Sequence, residues 1–253
     1  MLVIRKEQIR IFQSRAEERL EEELLQHFLR HYPRESRQAG GREQMRKLVK
    51  RGIERAAARG LNTQKLAGLY IALSIMLGAG FEEDPQLPWV ADQLSDESLS
   101  PSDRVGYLFR TAIDYLGATA GEESEFIVRA MLRTRAWDPA SAPETSGTQW
   151  ENDVCALFEQ LYPQKFGFQG EEPTLAMLRI VPDRAGRYGI RSPKGCAVYA
   201  LHMFMLGNAF DEDLLYPWAA IALKNPRTAD EAERVRLLWN GAMLHLNESL
   251  SKD

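Results

Sequence analysis

The chain has only two cysteines, Cys155 and Cys196, in 253 residues. A disulfide framework needs more cysteines in a shorter chain, so both are expected to be buried, reduced thiols. Long apolar runs are also missing. The longest, "GLYIALSIMLGAGF", covers about 14 residues, too few to span a bilayer as a helix. The opening "MLVIRKEQIRIF" turns charged by its fifth residue and has no small-residue cleavage site, which is not the pattern of a secretory signal. These absences predict a cytoplasmic protein without a membrane partner. Positive charge is not in excess: the formal net charge is -4, which argues against a general nucleic-acid binder.

Catalytic motifs are missing as well. There is no GxSxG, P-loop or GxGxxG, and no nucleophile sits beside an evident base. His27 and His31 are spaced i,i+4, as zinc ligands can be, but nothing resembling HExxH surrounds them. No metal, cofactor or catalytic residue is therefore assigned. Strand alternation followed by hairpin turns is absent too, while apolar residues recur at helical spacing. The expected fold is all-α.

What the chain does have is a sentence written twice. "LYIALSIMLGAGFEEDPQLPWVADQL" ends at Leu94, and "VYALHMFMLGNAFDEDLLYPWAAIAL" ends at Leu223. From Tyr70/Tyr199 to Leu94/Leu223, at a constant offset of 129, 11 of 25 positions are identical. They include Gly78/Gly207, Phe81/Phe210, Glu83/Glu212, Asp84/Asp213 and Trp89/Trp218. "RGLNTQK" faces "YGIRSPK" in the same register. With one residue of slip, "HFLRHYP" faces "LFEQLYP" and "RVGYLFRTAIDYL" faces "RVRLLWNGAMLHL". A period this long indicates a duplicated domain or half-domain rather than a solenoid. The predicted organisation is two homologous helical repeats, residues 1–120 and 149–253, each of about four or five helices and packed together. Residues 121–148 form a connecting amphipathic helix, with Phe126, Ile127, Ala130 and Met131 on its apolar face, and the linker "DPASAPETSG".

Within each repeat the signals are clear. Ile9, Phe12, Ala16, Leu20, Leu24 and Phe28 predict a first helix, which Pro33 ends. A second spans about Arg42 to Ala58, closed by Gly60. The third, capped by Asn62 or Thr63 in one repeat and Ser192 in the other, is apolar nearly all round and predicts the buried centre. Then comes F-[DE]-E-D-x-x-x-P-W. Three acidic residues before a turn and a tryptophan form a candidate partner-binding loop, comprising Glu82, Glu83, Asp84, Trp89, Asp211, Glu212, Asp213 and Trp218. The spacing does not match an EF-hand. The acidic residues also suit the start of the following helix. Lys47, Arg51, Arg55 and Arg59 form a basic stripe that could meet phosphate or an acidic partner, but glutamates flank it and pairing within the chain is the plainer expectation.

The opening "MLVIRKEQIRIFQSRAEERLEEELLQHF", then "GIERAAARGLNTQK", then "LYIALSIMLGAGFEEDPQLPW" resembles a group of small bacterial proteins encoded among type VI secretion genes, near PAAR-type spike proteins and toxic effectors. Those proteins look like a single repeat. The second repeat here departs from them: Leu214 stands where the first has Pro85, and its opening helix is shorter. The resemblance implies a non-catalytic adaptor, chaperone or immunity protein that binds a toxin or spike component. It assigns no catalytic residue. The alternatives are a helical enzyme or effector in its own right, using His27/His31 or the acidic loops with a metal, and a nucleic-acid-binding regulator using the basic stripe.

Overall fold

Proline, serine and glycine punctuate this chain, and the helices start and stop where they stand. The computed structural model describes residues 6–228 and 230–251, with side chains from residue 15 onward. Among the described residues there are thirteen α-helices and no strand. In order they are α1 (Lys6–His31), α2 (Pro33–Ala39), α3 (Arg42–Ala58), α4 (Gln64–Leu77), α5 (Pro88–Ser95), α6 (Pro101–Ala120) and α7 (Glu125–Ala136). The chain continues with α8 (Gly147–Leu161), α9 (Pro163–Gln169), α10 (Glu171–Gly186), α11 (Pro193–Leu206), α12 (Pro217–Leu223) and α13 (Glu231–Leu250). Single 3-10 turns occupy Phe81–Glu83, Pro139–Ser141 and Phe210–Glu212.

The helical character holds, with two additions. Pro33 does not merely end α1; it opens α2 at the first helical position, where its missing N–H costs nothing. Pro163 does the same for α9. Among the described residues, 6–120 and 147–250 thus carry six α-helices each rather than four or five, in the same order: α1 to α6, then α8 to α13, with a 3-10 turn after the fourth. The caps are those the sequence announces. Thr63 Oγ1 accepts from Leu66 N (3.3 Å), and Ser192 Oγ accepts from Gly195 N (3.1 Å).

Two compact units divide the chain between Ala72 and Leu73, inside α4. In the first, α1 lies against α3, with Leu24, Leu25 and Phe28 buried from one helix and Met45, Val49 and Ala56 from the other. Ala16 is exposed, and the side chains of Ile9 and Phe12 lie outside the described residues. In the second unit α11 is the centre. Its residues from Gly195 to Phe204 are buried without a break, which an all-round apolar sequence requires. Helices α8, α10 and α13 pack around it. Phe158 of α8 stacks on Phe204 with ring centres 4.3 Å apart. Each such fully buried side chain contributes about 1.5–3 kcal/mol of transfer free energy.

Candidate functional site

The candidate residues lie at the ends of α4 and α11, where the chain leaves an apolar helix and needs partners for its last carbonyls and first free amides. In the second unit the two acidic segments satisfy each other. Asp84 Oδ2 accepts from Asn208 N (2.8 Å), and Asp213 Oδ2 accepts from Ala79 N (2.9 Å). Ala79 and Asn208 occupy the same place in the duplicated sentence, as do Asp84 and Asp213. The bonds are therefore reciprocal, as in an isologous contact: i meets j and j meets i. Each aspartate's other oxygen closes a local turn. Asp84 Oδ1 accepts from Gln86 N (2.9 Å), and Asp213 Oδ1 from Leu215 N (2.8 Å).

Gly78 and Gly207 make the approach possible. Their φ values are +92° and +101°, in the left-handed region. A Cβ on Gly78 would stand 2.6 Å from the Leu206 carbonyl oxygen, and one on Gly207 would stand 3.1 Å from the Leu77 oxygen. No known protein family, curated protein or solved structure matches this chain.

The candidate partner-binding residues divide between the interior and the surface. Asp84, Asp211 and Asp213 are each 2–4% exposed and hold the interior together. Asp211 Oδ2 accepts from the hydroxyls of Tyr188 and Tyr199, both at 2.9 Å, with the Arg184 guanidinium 3.8 Å from Oδ1. Burial and the Asp211 carboxylate push both phenols well above their ordinary range. Burial also raises Asp84, against the pull of the hydrogen bonds it accepts from Gln86 N, Gln86 Nε2 and Asn208 N. Of the acidic residues, Glu83 and Glu212 are exposed and Glu82 is half-buried. Trp89 and Trp218 are half-buried: Trp89 sits 6.0 Å from the Tyr115 ring, and Trp218 sits 5.8 Å from His202 and 6.0 Å from His245.

Sequence reasoning missed the polar residues beneath the acidic turns. Gln86 is buried and its amide nitrogen donates to Asp84 and to the Met203 carbonyl (2.9 Å). Lys165 is buried and donates to the Phe204 carbonyl near the end of α11, with its ammonium 5.1 Å from the Phe204 ring centre. Burial lowers its amine to about 8, against the attraction of Asp84. His202 Nδ1 meets the Val198 carbonyl at 2.7 Å, and burial lowers the imidazole to about 4. It is neutral at pH 7, so Nδ1 carries the proton. Nothing in the local spelling of "YPQK" or "ALHMF" marks these residues as interior.

The other candidates lie in the first unit or in the core. Part of the basic helix is paired within the chain. Arg42 meets Glu22 at 2.5 Å, and Arg46 meets Glu21 and Glu22 at 2.8 and 2.9 Å. Hydrogen bonds from Gln26, Arg42 and Arg46 hold the Glu22 carboxyl down at about 2. Lys47 and Arg59 are exposed and Arg51 and Arg55 half-buried. The His27 and His31 rings are 4.5 Å apart, and His27 is lowered by partial burial and then by its cationic neighbours. Among the described residues no group of three or more His, Cys, Asp or Glu side chains is placed to hold a metal ion. Nor is any helix there long and apolar enough to cross a membrane. Cys155 and Cys196 are free and buried, and burial pushes both thiols up to about 11.

Proposed function

We propose that this chain is a non-catalytic, cytoplasmic binding protein that works beside a type VI secretion effector, as adaptor, chaperone or immunity protein. In this reading it is a tandem fusion of two homologous repeats, residues 1–120 and 149–253, joined through residues 121–148. The observation that carries the proposal is the reciprocal pair of bonds, Ala79 to Asp213 and Asn208 to Asp84. A contact of that kind is what two copies of a single-repeat protein make about a twofold axis, and single-repeat proteins are what the opening of this chain resembles.

Asp84 and Asp213 belong to that joint and Asp211 is held by Tyr188 and Tyr199, so the surface offered to a partner narrows to Glu83 and Glu212, with Glu82 and Trp89 beside them. Glu83 and Glu212 occupy equivalent places, one in each repeat. Such exposed carboxylates favour a basic partner mainly by raising the association rate. The test is affinity purification from the native cells, followed by mass spectrometry, with the wild-type chain and a Glu83→Lys/Glu212→Lys variant. One dominant toxin or spike protein is expected with the wild type, and about tenfold less of it with the variant. A chain that comes out alone contradicts the proposal. Co-expression with the captured toxin then separates the roles, because an immunity protein restores growth and an adaptor does not.

A further inference from the structure

A cavity of about 210 Å³ lies within the second unit, under the joint between the acidic turns and between α6, α7, α11 and α13. One wall is aromatic and continuous. Tyr216, Trp218 and His245 are mutually 5.2–6.2 Å apart by ring centres, and His202 links Trp218 (5.8 Å) to Trp239 (6.2 Å). Four methionines, Met76, Met131, Met205 and Met243, add soft, adaptable surface.

The charges nearby are already committed. Asp84 accepts from Gln86 N, Gln86 Nε2 and Asn208 N, and Lys165 donates to the Phe204 carbonyl. A charged guest would lose its hydration and find no free counter-charge. We propose that this cavity binds a neutral, flat, mainly aromatic small molecule. A cavity of about 150 Å³ holds benzene, so this one takes roughly eight or nine non-hydrogen atoms. The site is separate from the exposed Glu83 and Glu212, and it does not depend on the identity of a protein partner.

The probe is indole, neutral at pH 7 and of that size, with benzoate as the charged comparison. The readout is methyl NMR of the full chain labelled at methionine. Met131, Met205 and Met243 are expected to shift saturably with indole, with a Kd on the order of 10–100 μM. Met45 and Met177, buried away from the cavity lining, are expected to stay in place. Ala242→Phe, which fills the space, is expected to abolish the shifts. Trp218→Leu, which breaks the aromatic wall, is expected to weaken binding about fivefold. Equal shifts at Met45 and Met177, equal binding of benzoate, unaltered affinity in both variants, or no shift up to the solubility limit each overturn the proposal. The last of these is the result for a cavity that holds only water.

Discussion

Burial outweighs any neighbour in setting the chemistry of His202, Lys165, Cys155 and Cys196. His202 is neutral in the folded chain because burial disfavours its charged form, and burial lowers its imidazole from 6.5 to about 4. The unfolded chain takes up the proton first as the pH falls. Stability from this residue is therefore full above pH 6.5 and is lost progressively between 6.5 and 4, by about 3 kcal/mol in all. Urea midpoints at pH 7, 6 and 5 are expected to fall for the wild type and to fall much less for His202→Phe. The thiols behave in the same way. Raised to about 11 and enclosed, Cys155 and Cys196 are expected to resist a thiol reagent at pH 8 in the native protein. They should react within seconds once urea unfolds it. Fast reaction in the native state contradicts the burial.

The element that decides the arrangement of the second unit is the turn after each apolar helix. Gly78→Ala is expected to cost about 2–4 kcal/mol, because the new methyl meets a backbone oxygen at 2.6 Å in a left-handed conformation. Gly207→Ala is expected to cost less, about 1–2 kcal/mol, since its methyl has 3.1 Å. Asp84→Ala and Asp213→Ala each strand a buried amide and are expected to cost about 2–3 kcal/mol by denaturant unfolding. Variants as stable as the wild type contradict the joint.

Much of this turn was legible beforehand. The glycines and aspartates stand in register in both copies of the sentence, and the helix caps at Thr63 and Ser192 are spelled out. The pairing was not legible, because Ala79 and Asp213 are 134 residues apart and no local pattern says which amide a carboxylate will reach. A run of acidic residues reads as surface until its hydrogen-bond partners are known. Lys165 and Gln86 went unseen for the same reason: burial of a polar side chain is decided by distant backbone. The short helices α2 and α9 were hidden by prolines that both end one helix and begin the next.

At the scale of the whole chain, similarity and packing divide the molecule differently. Residues 69–94 are spelled again at residues 198–223, whereas the compact units part between Ala72 and Leu73. Likeness of spelling does not decide which side chains share a core, and the units follow the core. A fragment of residues 1–120 retains Ala79 and Asp84 but loses both of their partners across the joint. It is expected to self-associate through that surface, which sedimentation at rising concentration would reveal. A folded, strictly monomeric fragment contradicts the expectation.

The same bonds put a constraint on synthesis. Asp84 leaves the ribosome 124 residues before Asn208, the amide it must meet. At about 5–20 residues per second, that interval lasts roughly 6–25 s. Throughout it the nascent chain carries an apolar helix end and a carboxylate that has nowhere to settle, open to proteases and chaperones until the second sentence has been read.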